Sequence, residues 1–483
     1  MIKNQLFQLL KALDRKEMTR FMEFSLSPYF NKHLGVSRLV TYLSSIYPEF
    51  TAKNCAKEKL IQQIDHVSGR NKQQLALLFT YTNRLIEKYI SQEAIKSQEE
   101  ILNLERLKHL RQKTQYDVYE KIVRKVEKEM DREPYRDGNY FHHRFLLAQE
   151  TDLYYTQTTS HQQDDSIQLK EIFLDVFYLS EKLKDACEIQ VRRRIIRVDY
   201  AARILELVLK EVGDNLEYYS DKPPIVVYFA IYQMMVHEDP IYYDRAFEAV
   251  EQHASYFQLA ELQSMYNFLQ NYCVNKINKG VKRFLKASFE LYQVQLERQL
   301  LIINDVFPEW YYKNIVTTSL RLNETEWVRQ FIETYRGRLD PEVMENAYSF
   351  NLASYYFAIE AYDKALRLLL QVAYTDLRYS LSSKALLLRT YYALEEHEAL
   401  LSLCKSFTQF LQRHKEIADF RRKGYRGLFD LTRKASILRF NKGFVSKTKT
   451  QKELSKLKEL IEEMEALFNR DWLKEQLQKV KVD

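Results

Sequence analysis

Glycine and proline are nearly missing: nine and eight in 483 residues, together under 4%, against about 12% in average usage. Sheets need both at their turns, so the scarcity argues against a β-rich fold and predicts long helices joined by short links. Phosphate-cradling loops disappear with the glycines, since neither a Walker A pattern nor GxGxxG occurs. HExxH and GxSxG are missing, and no histidine has a glutamate three residues before it, so zinc-protease, serine-hydrolase and di-iron-bundle signatures are all absent. The four cysteines, Cys55, Cys187, Cys273 and Cys404, stand far apart and form neither CxxC nor a Cys/His cluster. Free thiols of this kind suit a reducing, cytoplasmic setting.

Long apolar runs are lacking too. The most apolar stretch, Ile225 to Val236, is about half a membrane span and contains Gln233, so it reads as a buried helix. Met1 to Leu13 carries Ile2, Leu6, Leu9, Leu10 and Leu13 along one face without an uninterrupted apolar core, and reads as a first helix rather than a signal peptide. No membrane association is expected.

What is present is helical. With 46% hydrophobic and 29% charged residues the chain is a folded one. Shifted by 34 residues it partly matches itself, Leu352, Ala365, Leu366 and Leu369 falling on Leu386, Ala399, Leu400 and Leu403. That period is the spacing of a tetratricopeptide-type helix–turn–helix repeat, whose apolar face is buried only by stacking on a neighbour. The expected fold is all-α, a tetratricopeptide-like solenoid with an N-terminal helical module. Its expected parts are a helical module over 1–95, a central helical region over 96–310 that could hold degenerate repeats, repeats over 311–440, and a C-terminal amphipathic capping helix over 451–483.

Local signals refine this. Asp14 is placed to cap a second helix, which Ser27-Pro28 then stops. Helices are expected around Leu39–Ile46, Lys57–Val67 and Gln73–Ile90, and a charged helix pair over Glu99–Met130. Breaks are expected at Pro134–Asn139, Thr156–Ser166, Gly213–Pro224, His237–Pro240, Lys276–Gly280 and Pro308, with helical segments such as Ile167–Leu183, Arg193–Val212 and Tyr242–His253 between them. In the repeats, one unit covers Lys313–Arg338, Pro341 opens the next helix, and Asn346–Glu360 pairs with a helix starting at Tyr362. Asn441 to Thr450 reads as a linker, and the leucine pattern from Leu454 to Leu477 as one terminal helix that closes the last seam.

The phrases Ser27-Pro28-Tyr29-Phe30-Asn31, Asn271-Tyr272-Cys273, Lys276-Ile277-Asn278-Lys279-Gly280 and Tyr312-Lys313-Asn314-Ile315-Val316, with the run Asn346 to Leu370, resemble an uncharacterised helical-repeat family of Bacteroidetes-type bacteria. The resemblance implies a bacterial cytoplasmic helical protein and brings no substrate, cofactor or catalytic residue. The repeats also resemble tetratricopeptide proteins, but Thr390 stands where an aromatic is usual and Ser406 where a small alanine is common. Those departures weigh against the peptide-carboxylate binding of some such proteins.

Candidate sites follow from side chains rather than motifs. The 35 tyrosines suit inter-helix seams, the sharper alternative being a groove that grips a partner. Tyr355, Tyr356, Tyr391 and Tyr392 are the groove candidates. Arg413 to Thr450 holds twelve Lys/Arg against three Asp/Glu, a net of +9 in a chain of +7, so the basicity is local. Arg421, Arg422, Lys423 and Arg426 are its centre, interleaved with aromatics in a way that suits phosphates and bases or an acidic protein segment, although a solvated or internally paired face is the ordinary outcome. The cluster Arg192, Arg193, Arg194 and Arg197 reads as salt-bridged. His142-His143, Glu105 with His109, Asp164-Asp165 and Glu462-Glu463 are ordinary helix or loop surface rather than metal or acid–base sites. The expectation is a non-enzymatic scaffold for a protein partner, without cofactor or metal, with nucleic-acid association through the basic segment as the alternative and an enzyme with an unrecognised site last.

Overall fold

The computed structural model describes residues 4–64, 72–158, 165–196, 198, 200–372, 377–441 and 446–480. Among these the fold is all-α, and the chain divides into two compact units, Met1–Glu181 and Lys182–Asp483. The first holds α1 (Gln5–Ala12), α2 (Arg15–Leu26), α3 (Leu34–Ser45), α4 (Lys57–Ile64), α5 (Lys72–Lys96), α6 (Glu99–Gln112), α7 (Tyr116–Arg132) and α8 (Gly138–Thr158). The division falls inside α9 (Ser166–Ile196). The second unit continues with α10 (Leu205–Asp214), α11 (Pro223–Val236), α12 (Ile241–His253), α13 (Leu259–Asn278), α14 (Arg283–Glu297), α15 (Glu309–Arg321), α16 (Thr325–Arg336), α17 (Met344–Ala358) and α18 (Tyr362–Gln371). It ends with α19 (Leu377–Ala393), α20 (His397–Arg413), α21 (Asp419–Phe440), α22 (Lys447–Glu463) and α23 (Arg470–Lys479).

In the first unit Asp14 accepts from the Glu17 amide while Glu17 reaches back to the Asp14 amide, a full capping box that starts α2. Pro28 stops that helix two residues after Leu26, just past the C-cap Ser27. Leu6, Leu10, Phe21, Leu39, Leu43 and Ile86 then form one core among α1–α5. The charged pair α6–α7 packs with α8 over a smaller core of Leu107, Tyr119, Leu147 and Tyr154.

The second unit is a helical-repeat array. Consecutive helices pack pairwise, and α15, α17, α19 and α21 also touch one another in succession, forming one layer of alternate helices. The period differs from the sequence match. A shift of 34 sets fully buried Ala365 against half-buried Ala399. A shift of 35 pairs Ala365 with Leu400 and Leu369 with Cys404, all buried, because burial follows the turn that opens the second helix.

That turn is one device used repeatedly. Thr114, Gly280, Gln299, Asn323, Glu360 and Glu395 all have positive φ. In each case the next amide donates to the carbonyl five residues back, as Ala361 N does to Tyr356 O (2.9 Å) and Glu396 N to Tyr391 O (3.0 Å). This is the Schellman ending of a helix, normally given to glycine. Only one of the six is glycine and one asparagine, so the low glycine content carries a conformational cost of roughly 1–2 kcal/mol at each of the other four. Glu360→Gly should therefore raise the unfolding free energy by on the order of 1 kcal/mol after the extra chain entropy of glycine is subtracted, visible as a higher urea midpoint with an unchanged slope.

Several expectations need correction. Arg193–Val212 is not one helix: α9 ends at Ile196, and Ile204 takes a left-handed conformation (φ 58) just before α10. Pro341 lies in a turn begun by Asp340, and α17 starts only at Met344. The terminal helix is two helices, with Asn469 (φ 51) at the start of the second. Ile2, Asp164, Arg197, the Arg194 side chain and the middle of the expected 441–450 linker lie outside the described residues. No helix is long and apolar enough to cross a membrane among the described residues.

Candidate partner-binding surface

The layer of alternate helices carries a cavity of about 380 Å³ built from α15, α19, α21 and Phe468. Its floor is polar and fixed. Lys313 Nζ lies 2.6 Å from Ser382 Oγ, and the Tyr425 phenol hydrogen-bonds the same serine. The Lys313 ammonium also sits 5.5 Å from the Phe350 ring centre and 5.0 Å from that of Tyr379, a cation held against aromatic faces. Tyr379 in turn donates to the Glu309 carbonyl at 3.0 Å. Burial pushes the Tyr425 hydroxyl up, so the phenol stays protonated at neutral pH.

The cavity opens at Trp310, which is 53% exposed, and at the exposed Arg421. Phe420, 63% exposed, contacts the Phe468 wall, the ring centres 6.3 Å apart. Pro308 precedes α15 and leaves Trp310 in its first turn. Tyr312, Ile315, Val316 and Ser319 take the buried side of that helix, which turns Trp310, Lys313 and Asn314 to the other side at helical spacing. One wall depends on the C-terminal segment: Phe468 donates its amide to the Gly424 carbonyl at 3.4 Å and packs its ring on Tyr425 (4.5 Å).

The residues singled out in the sequence are dispersed. Tyr392 is only 3% exposed, packed between Trp472 and the Arg439 guanidinium; its ring is core and leaves the groove set. Tyr355 and Tyr356 are half-buried against the core, each with a cation over its face, Arg329 at 5.8 Å and Lys364 at 5.4 Å. Tyr391 is half-buried between two core clusters. Of the basic residues, only Arg421 joins the cavity. Arg422 instead donates to the carbonyls of Lys415 (2.8 Å) and Ile417 (3.1 Å) beyond the end of α20, so its charge is committed to the fold. Lys423 and Arg426 are exposed, Arg426 lying 3.8 Å from Asp430.

The other candidates resolve as surface or core. Glu105 pairs with Lys108 at 2.7 Å rather than with His109. His142 stacks on Phe177 at 4.5 Å, and burial pulls its pKa down. Burial pushes the Cys273 and Cys404 thiols up to about 12, which leaves them protonated at neutral pH and poorly nucleophilic. Sequence reasoning missed Trp310 and Lys313. Their signal was present, since an aromatic at 310 lies off the buried stripe of its helix; their meeting with α19 and α21 was not.

No family model matches the chain, and no curated protein does either.

Proposed function

We propose that the chain is a non-enzymatic scaffold whose second unit, a set of tetratricopeptide-like helix pairs, holds a segment of a protein partner on the layer of alternate helices. One observation carries this reading: half-exposed Trp310 and exposed Arg421 frame a cavity that also holds the Lys313–Ser382–Tyr425 network. Exposed Trp and Arg around a pre-formed pocket are the side chains that dominate protein-binding energy, and a fixed floor lowers the ordering cost of association. The cytoplasm of a bacterial cell is the setting this reading assumes.

The test is a photoreactive phenylalanine analogue at position 310, crosslinked in cells and read by mass spectrometry. A protein adduct that resists nuclease is expected. Trp310→Ala should weaken capture of that protein at least tenfold, the loss of a hot-spot residue worth about 2 kcal/mol or more, without changing the helical content. Capture unchanged by the substitution sinks the assignment. An adduct to nucleic acid would move the weight to Arg421, Lys423 and Arg426, and such binding should fall on the order of a thousandfold from 50 to 200 mM salt if six or more phosphates are contacted.

A further inference from the structure

The first unit has a surface of different chemistry, in the segment of the Ser27-Pro28-Tyr29-Phe30-Asn31 phrase. A groove of about 530 Å³ runs between the α2–α3 link and α5. Lys32, His33, Arg84 and Lys88 line it, and no carboxylate does. In a chain with 66 acidic residues against 73 basic ones, helix-surface cations ordinarily find acidic neighbours. Here Lys32, Arg84 and Lys88 make no ion pair among the described residues. Lys88 lies instead over the Phe30 ring at 5.3 Å.

The groove is pre-formed. Asn31 ties the link down, its amide donating to the Ser25 carbonyl (2.8 Å) and Ser37 Oγ (3.0 Å) while its oxygen accepts from the His33 amide (2.9 Å). Phe30 stacks on Phe24 at 4.0 Å. His33 Nδ1 accepts from the Gly35 amide, which leaves Nε2 as the ring's donor. On α5, Tyr81, Arg84, Leu85 and Lys88 follow at i, i+3, i+4 and i+7, one face of the helix.

Exposed apolar side chains adjoin the lining residues in the chain: Tyr29 (84%) and Leu34 (72%) flank those of the α2–α3 link, and Leu77 (50%) lies one helical turn before Tyr81 on α5. From Leu77 to Lys88 the face is about 17 Å long at 1.5 Å per residue. That matches about eleven helical or about five extended residues of an occupant. Charge complementarity requires the occupant to be anionic. The exposed leucines favour a protein segment over nucleic acid, because bases stack on aromatic rings whereas leucine rewards an apolar side chain. We infer that this groove docks an acidic protein segment that also presents apolar side chains, through Arg84, Lys88 and Lys32 with Tyr29, Leu34 and Leu77 at its edge. The inference concerns a separate surface and stands whether or not Trp310 binds a partner.

The test uses the full chain and a short fluorescein-labelled peptide of interleaved glutamates and leucines, followed by anisotropy. The same peptide with glutamines and an oligothymidylate of similar length serve as comparisons. Binding of the glutamate peptide alone is expected, weakening with added salt and at least tenfold weaker in the Arg84→Glu/Lys88→Glu chain. All these positions are exposed, so circular dichroism should be unchanged. The milder Arg84→Gln/Lys88→Gln chain should show a smaller loss in the same direction. The inference is overturned by no binding of the glutamate peptide, by affinity that survives charge reversal, or by oligothymidylate binding more tightly through the same two residues.

Discussion

Replacing Arg111 by methionine should lower the unfolding free energy of the first unit by about 3–5 kcal/mol, the usual effect of stranding one member of a buried ion pair. The Arg111 guanidinium grips Glu150 with two parallel bonds, Nε to Oε1 at 2.7 Å and Nη2 to Oε2 at 3.2 Å. The Glu150 side chain is 3% exposed. The same residue's carbonyl accepts from the Tyr119 hydroxyl at 3.2 Å, and Tyr119 stacks on Tyr154 at 4.3 Å. This knot joins α6, α7 and α8, so an uncompensated carboxylate there loosens all three helices. Truncating both partners, Arg111→Met with Glu150→Met, should recover much of the loss, because the desolvated charge is then gone. Urea unfolding of the three variants measures it. A single Arg111→Met variant as stable as the native protein would contradict the buried bidentate pair.

Gly424→Ala should destabilise the second unit by about 1–3 kcal/mol, the range for overpacking, although a glycine-to-alanine change inside a helix ordinarily gains about 1 kcal/mol. Packing reverses the sign. A Cβ at 424 would lie 2.7 Å from two carbons of the Phe468 ring, and that ring is held on Tyr425 by its own contact. Gly427 is the internal control. Its Cβ would meet the Met464 methyl, the far end of a flexible chain that can move aside, so Gly427→Ala should be near neutral. Hydrogen exchange across 447–480 should rise in the first variant and stay unchanged in the second. Equal effects from both would refute the assignment of Phe468 as the rigid element. The same comparison bears on the candidate site, since Phe468 is one wall of the cavity beside Arg421.

These two glycines show what could be read from the sequence and what could not. Two glycines three residues apart inside a helix mark a close approach by something, but only the fold says that Met464 and Phe468 are what approaches. The same segment explains why the terminal leucine pattern misled: its spacing continues through the break, while Arg470 closes α22 by donating to the Glu462 and Met464 carbonyls. Capping signals behaved differently. Asp14, Pro28 and Pro308 mark their boundaries at the expected residues, because those caps are decided by neighbours in the chain; Pro341 is the exception, its turn running on to Met344. Candidate binding residues were less legible. Tyr391 and Tyr392 are adjacent and chemically identical, yet one is half-buried and the other core, a difference set by Trp472 arriving from 80 positions away.

By itself, then, the sequence determined what short-range physics controls: helices throughout, their caps, and a repeating pair whose apolar faces demand neighbours. Tertiary structure alone decided the 35-residue register, set by left-handed turns at Glu360 and Glu395 that carry no glycine signature. It also decided which cations are spent and which remain exposed. Arg422 and Arg111 close onto carbonyls and a carboxylate, while Arg84 and Lys88 line an open groove. A charged side chain's role depends on what lies within a few ångströms of its end, and in a helical array those neighbours come from other helices, at sequence distances no local pattern encodes.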